Sequence, residues 1–218
     1  MTKIEIKKTY NELIDYESSI DFMKSRIQSI KNKNENELIW FLSHDHIYTQ
    51  GTSANDNEII KKNNTKIIKT NRGGKTTYHG PGQRIVYFMI NLNNRKKDIR
   101  KFISIIEDSL INFLAYYKIE GKSFKDRVGI WVTESNKTKF KKEKKIGAIG
   151  LRVSNWITYH GMSFNINPDL NYYKNIHSCG LKEYENTSLK ELGINISNEE
   201  FDEHFKKIFL KNITDLRL

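Results

Sequence analysis

The chain has 218 residues, of which 37% are hydrophobic and 11% aromatic, enough for a sizeable core and too many for a disordered protein. Its formal charge of +11, from 37 basic against 26 acidic side chains, points to an acidic partner: nucleic acid, a membrane surface or an acidic protein. No apolar run reaches the length of a membrane span, Met1 to Ile6 lacks a signal-peptide core, and the single cysteine cannot form an internal disulfide, so the expected location is cytoplasmic.

Ile4-Glu5-Ile6 reads as a short strand. From Tyr10 to about Ile30, Leu13, Tyr16, Ile20, Met23, Ile27 and Ile30 recur at gaps of three and four, which predicts a helix with one packing face. A polar turn from Lys31 to Glu37 precedes the strand Leu38-Ile39-Trp40-Phe41-Leu42. Ser43-His44-Asp45-His46 follows, then a second short run, Ile47-Tyr48-Thr49. Gly51 to Asn64 reads as an exposed loop.

Lys66-Ile67-Ile68-Lys69 and Ile85 to Leu92 are predicted strands. Between them, Asn71 to Gln83 holds four of the twelve glycines and one of the two prolines, which predicts a shaped loop and not the middle of a helix or strand. Arg72, Thr76, Thr77, Tyr78, His79 and Gln83 make that loop polar as well as shaped, as a binding loop would be.

Phe102, Ile106, Leu110, Phe113 and Tyr117 mark a second helix from Asp98 to about Lys118, with Asp98 as its cap. Val128 to Val132 is a strand, and the basic run Lys137 to Lys145 reads as a solvated hairpin tip. It interleaves no aromatics as single-strand binders do, and no nucleic-acid motif occurs. Lys145 to Val153 is a strand punctuated by Gly147 and Gly150; Trp156 to Tyr159 and Gly161 to Ile166 read as further strand. Pro168 to Ile176 is irregular. Ser197 with Glu200 forms a capping box for a last helix to about Lys211. Strands outnumber helices and no linker stands out. The expectation is an α+β (α/β) fold with a mixed, mostly antiparallel sheet flanked by helices, and residues 1–218 as one unit.

A lone cysteine is most often a small buried hydrophobe, but Ile176-His177-Ser178-Cys179-Gly180-Leu181 has the polar flank of an exposed turn, where thiolate chemistry is available. Lys145, His79, His160 and His177 are all candidate cations for lowering its pKa. The string Thr77-Tyr78-His79-Gly80 recurs as Thr158-Tyr159-His160-Gly161, so the two copies are expected to face one cavity. Scattered histidines and one cysteine do not give metal-ligand spacing, and neither a P-loop nor a dinucleotide fingerprint is present. No metal and no cofactor are expected.

Arg72-Gly73-Gly74-Lys75-Thr76-Thr77-Tyr78-His79-Gly80-Pro81-Gly82-Gln83 resembles the signature of the lipoyl(octanoyl) transferases. The resemblance continues through Lys145-Ile146-Gly147-Ala148-Ile149-Gly150-Leu151-Arg152, Thr158-Tyr159-His160-Gly161, Asn165-Ile166-Asn167 and Cys179-Gly180, and spans about residues 38 to 190. It implies the fold of biotin and lipoate protein ligases. It also implies transfer of an octanoyl group from octanoyl-acyl carrier protein to a lysine of lipoyl domains, through an acyl-cysteine thioester. The acceptors implied are lipoyl domains of 2-oxoacid dehydrogenase complexes and the glycine cleavage H protein, with no nucleic acid and no membrane as partners.

Carried over residue by residue, Cys179 would be the nucleophile and Lys145 the group that lowers its pKa. Arg72, Gly73, Gly74, Lys75, Thr76, Thr77, Tyr78, His79, Ala148, Ile149, Gly150, Gly161, Met162 and Ser163 would form the acyl pocket. Tyr87 and His160 would line the site, and backbone N–H groups near Gly150 or Gly161 are candidates for holding an oxyanion. The chain departs from the family where His44-Asp45-His46 replaces His-Pro-Pro and Ser178 replaces a proline before the cysteine; neither change removes a reactive group. An ATP-dependent ligase of the same fold is the alternative, and its longer glycine run ending in His-Asp is missing at His79-Gly80-Pro81-Gly82. A non-catalytic binder of acidic carrier domains is the other.

Overall fold

Strand alternation divides the apolar residues between two faces of one sheet, and each face is covered by helices. The computed structural model describes residues 3–61, 64–136, 138–177 and 184–216. The chain runs β1 (Ile4–Lys8), α1 (Tyr16–Lys31), β2 (Glu37–Leu42), β3 (Ile47–Gln50), β4 (Lys66–Lys69), β5 (Thr76–His79), β6 (Gln83–Met89), α2 (Ile99–Tyr116), β7 (Ile119–Phe124), β8 (Arg127–Ser135), β9 (Thr138–Ser154), β10 (Ile157–Asn165) and α3 (Asn198–Asn212), with short 3-10 turns between. Seven strands form one sheet in the order β1-β2-β6-β10-β9-β8-β7, parallel at β1–β2 and antiparallel elsewhere. A smaller sheet, β4-β3-β5, carries the glycine-rich segment. This is the mixed, mostly antiparallel α+β arrangement expected from the pattern.

On β2 and β6, Ile39, Phe41, Val86 and Phe88 point to the side covered by α2 and α3, where they pack with Phe102, Phe113, Phe201, Phe205 and Phe209. Each such buried side chain contributes about 1.5–3 kcal/mol by leaving water. The alternate residues Leu38, Trp40, Leu42, Ile85, Tyr87 and Met89 face α1 through its Met23 and Ile30. α3 is further tied to the sheet by a fully buried ion pair, Arg84 Nε and Nη2 donating to the two carboxylate oxygens of Asp202 at 2.9 and 2.6 Å. Losing one partner of such a pair costs about 3–5 kcal/mol, because the other charge is stranded. No helix among the described residues is long and apolar enough to cross a membrane.

Four local expectations need correction. α1 begins at Tyr16 and not at Tyr10, because the Asp15 carboxylate caps it by accepting the Ser18 N–H at 2.8 Å; Leu13 is left exposed. The segment from Asn71 to Gln83 is not loop throughout: Thr76–His79 pairs antiparallel with β3 as β5, and Gln83 already belongs to β6. The basic run is not a hairpin tip, since Thr138 and Lys139 pair with Ser135 and Glu134 and the strand continues through Lys144. Trp156 lies in the turn, where Asn155 (φ 51°) and Trp156 (φ 61°) form a two-residue connection between β9 and β10 with both residues left-handed. Strand β7 carries too few apolar residues to announce itself. The helices capped by Asp98 and by the Ser197–Glu200 box form as expected.

Candidate active site

The glycine-rich segment is held from within by Arg72. Its guanidinium donates to Thr49 Oγ1 and to the backbone oxygens of Thr49, Gly73 and Lys75 at 2.6–3.2 Å. The loop also joins the large sheet through Gly73 N–H to Leu151 O at 3.1 Å. Gly150 permits that approach: a Cβ there would stand 3.0 Å from the Gly73 carbonyl oxygen. Arg72 therefore acts as an internal brace of the cavity wall. On the far side, Glu58 Oε2 accepts the Thr76 N–H at 2.7 Å.

The braced loop, α1, β6, β9 and β10 enclose a narrow cavity. Its lining includes Arg72, Gly74, Lys75, Thr77, His79, Tyr87, Ala148, Ile149, Gly150, His160, Gly161, Met162 and Ser163, so the structure brings these sequence-predicted positions together from three distant stretches. Gly73, Thr76 and Tyr78 do not line it. Tyr78 instead packs against Tyr172 and Tyr173 on the opposite face of β5. Two lining residues were missed from sequence, Tyr16 and Ile85. Tyr16 is the one hydroxyl-bearing residue on an otherwise apolar helical face, which is the signal that was available.

Buried imidazoles dominate the wall, and their hydrogen bonds fix their tautomers. His44 Nδ1 lies 2.6 Å from the Ile14 carbonyl and must donate, so Nε2 accepts the Tyr87 hydroxyl at 2.7 Å. Gln83 spends its amide N–H groups on Asn165, Tyr173 and the Tyr78 carbonyl, so its Oε1 receives His79 Nδ1–H at 2.7 Å. His160 Nε2–H donates to Asn71 Oδ1 at 2.9 Å, while Asn71 Nδ2 donates to the Tyr159 hydroxyl. Burial pushes the pKa of His44 down to about 4 and those of His79 and His160 down to about 3. Burial also raises the Tyr16 and Tyr87 phenols. Near neutral pH these five side chains are uncharged, which suits an apolar ligand. Two polar atoms in the lining are buried with no hydrogen-bond partner among the described residues, Thr77 Oγ1 and His160 Nδ1.

Next to the cavity, Thr77 and Ala148 also line a tighter crevice with Lys145, Ile146, Gly147, Asn165, Tyr173 and Asn186. Lys145 is buried; its Nζ donates to Val128 O at 3.1 Å and sits 5.2 Å from the centre of the Trp131 ring. Gly129 gives it room, since a Cβ there would meet the Lys145 Cε at 2.8 Å. The chain after residue 183 runs beside this lysine: Lys145 N–H donates to Glu185 O and Thr187 N–H to Lys145 O, both at 2.8 Å. Cys179, with Ser178 and Gly180, lies outside the described residues. No group of three or more His, Cys, Asp or Glu side chains placed to hold a metal occurs among the described residues.

A family model described as the lipoyl protein ligase A/B catalytic domain matches residues 15–210. An octanoyltransferase of Wolbachia pipientis is 46% identical over 202 residues, which cover 92% of this chain and 96% of the relative. An octanoyltransferase of Ehrlichia canis is 45% identical over 197 residues, 90% of each chain. Among solved structures, a bipartite lipoate protein ligase of Thermoplasma acidophilum shares the fold at 11% identity. Its TM-score is 0.67, covering 98% of this chain and 84% of that one.

Proposed function

This chain belongs to the lipoyl protein ligase A/B catalytic-domain family and acts as an octanoyl transferase in protein lipoylation; we propose that it works through an acyl-Cys179 thioester supported by Lys145. The donor is octanoyl-acyl carrier protein. The acceptors are lysines of lipoyl domains, those of 2-oxoacid dehydrogenase complexes and of the glycine cleavage H protein. Residues 1–218 act as one catalytic unit in the cytoplasm, where the single thiol stays reduced.

The observation that carries this reading is the junction of a narrow cavity, walled in part by neutral buried imidazoles, with a buried lysine. The octanoyl tail occupies the cavity, and the reacting carbonyl lies toward Lys145. An ammonium in a site shielded from water favours the thiolate over the thiol. The Cys179 sulfur adds to the thioester carbonyl carbon. Collapse of the tetrahedral adduct re-forms the carbonyl and expels the carrier thiolate, which takes a proton from the Lys145 ammonium. In the second half-reaction the acceptor amine attacks the acyl-cysteine, its proton passes to Lys145, and the Cys179 thiolate leaves. The +11 charge steers the acidic carriers toward this site.

Incubation with octanoyl-acyl carrier protein, without ATP, is expected to add one octanoyl group to the protein by intact mass and none to Cys179→Ala. An adduct of the same yield on Cys179→Ala, or loading of free octanoate only with ATP, overturns the reading. Lys145→Met is expected to move the alkylation–pH profile of Cys179 to higher pH and to slow acylation. An unmoved profile removes Lys145 from the role.

A further inference from the structure

We propose that the Thr77 hydroxyl is a catalytic residue, the hydrogen-bond donor to the carbonyl oxygen of the bound acyl group and to the oxyanion that forms from it. This deepens the octanoyl-transfer reading and rests on the acyl tail filling the cavity.

Register orders the cavity along the β9–β10 ladder. Ser163 faces Ala148, Met162 faces Ile149, Gly161 faces Gly150 and His160 faces Leu151. One step further, Phe164 faces Gly147, and there the Lys145 crevice begins. The cavity therefore has a reacting end at Ser163, Ala148 and Thr77, and a far end at His160. Three residues of strand separate the ends, roughly 10 Å. An extended octanoyl chain has seven carbon–carbon bonds of about 1.5 Å set in zigzag, close to that span. With its tail toward His160, its carbonyl comes to the place where cavity and crevice meet. Thr77 and Ala148 are the two residues shared there, and of the two only Thr77 has a side-chain donor.

Thr77 Oγ1 is buried and has no hydrogen-bond partner among the described residues. A buried hydroxyl left without a partner is destabilising, so a partner arriving with the ligand accounts for it. Thr76 Oγ1 is partnerless too, but it belongs to the opposite face of β5 and lines neither space; position selects Thr77. Two other crevice polar groups are engaged: Tyr173 OH donates to Asn165 Oδ1, and Asn165 Nδ2 donates to Thr187 O. The N–H of Gly161, one of the backbone candidates for this role, sits in a strand paired on both sides by β6 and β9. When the attacking sulfur bonds to the carbonyl carbon, the carbon–oxygen π pair moves onto oxygen and the Thr77 O–H bond to it shortens. When the carbonyl re-forms, the pair returns and the leaving thiolate departs; Thr77 keeps its proton throughout.

The test is single-turnover acylation by octanoyl-acyl carrier protein, read by intact mass. Removing one oxyanion donor costs about 10²-fold or more, so Thr77→Val is expected to slow the step by about that factor at saturating donor, with Thr77→Ser recovering most of it. S-octyl-pantetheine, a thioether with the same tail and no carbonyl, is expected to bind wild type and Thr77→Val equally, which also reports that the variant is folded. On wild-type acyl-enzyme made from octanoyl-acyl carrier protein labelled with 13C at the acyl carbonyl, the C=O stretch is expected below that of a thioester with the same label in alkane solvent. An unshifted stretch overturns the proposal whether or not any variant folds. Thr77→Val acylating at the wild-type rate overturns it, as does Ser163→Ala slowing the step while Thr77→Val does not. If wild type neither binds the thioether nor takes up octanoyl, the cavity reading itself fails; a failure confined to the Thr77 arms leaves that reading standing.

Discussion

The two copies of Thr-Tyr-His-Gly end beside the same cavity, yet almost every residue in them has a different task. In β5, regular alternation sends Thr77 and His79 to the cavity and Tyr78 into the tyrosine cluster behind it. In β10, Thr158 knots the sheet: its Oγ1 donates to Phe88 O at 2.7 Å and accepts from Ile90 N–H at 3.1 Å. His160 then reaches the cavity from a left-handed backbone, φ 58°. The final glycines differ as well. Gly80 lies under the Tyr78 hydroxyl, a side-chain tip, whereas Gly161 lies under the Val86 carbonyl, rigid backbone of the neighbouring strand; a Cβ would stand 1.9 Å from either. The same four letters thus build a wall by pleat in one place and by a backbone bend in the other. A short motif names candidates, and its structural setting assigns the roles.

The glycines give the sharpest way to break this contrast. Gly161→Ala is expected to cost about 4 kcal/mol or to prevent folding, because the Val86 backbone cannot withdraw from a central strand. Gly80→Ala is expected to cost about 1–3 kcal/mol, since the Tyr78 ring tip can move at the expense of its bond to His46. Equal urea midpoints for the two variants would erase the distinction.

The histidines should look alike where the glycines differ. The native pKa values of His79 and His160, about 3, lie below the unfolded value near 6.5. The unfolded chain therefore binds more protons in that window. The stabilisation is complete above about pH 6.5 and is lost as pH falls toward 3. Each histidine is expected to account for about 2 kcal/mol of the stability lost between pH 6.5 and 5. Chemical denaturation of His79→Asn and His160→Asn should show the same flattening of the pH dependence; a flat wild-type profile would contradict both buried, neutral assignments.

Backbone conformation supplies the smallest test. Asn tolerates the left-handed region and β-branched residues do not, so His160→Val is expected to be about 1–2 kcal/mol less stable than His160→Asn. At His79, on an extended strand, the same pair should differ little or favour Val. A matching Val–Asn gap at both positions would mean that φ at His160 is not what separates the copies.

Much of this was legible in the residues. Gaps of three and four marked α1 and α2, the Ser197–Glu200 box marked α3, and alternating or continuous apolar runs marked the central strands, because period and capping are local properties. The repeated tetrapeptide and the glycine-rich stretch also hold seven of the fifteen residues of the cavity wall, and the family resemblance named six more. What local pattern could not hold was partnership. Thr76–His79 is a strand because β3 lies alongside to accept its hydrogen bonds, although its glycine-rich flanks suggest a loop. Arg72 reads as one polar group of a binding loop, and only the surrounding carbonyls reveal it as a brace. Tyr16 reads as packing until the loop folds across α1. Thr76 and Thr77 are indistinguishable on paper; the pleat of β5 turns one away and leaves the other at the junction with the Lys145 crevice. Sequence by itself determined which residues are chemically able and which segments are regular. The tertiary structure alone decided which of them meet, because residues 16, 77 and 160 reach one cavity, and 77 and 145 one crevice, through sheet order and register, and those are set by long-range burial and hydrogen bonding.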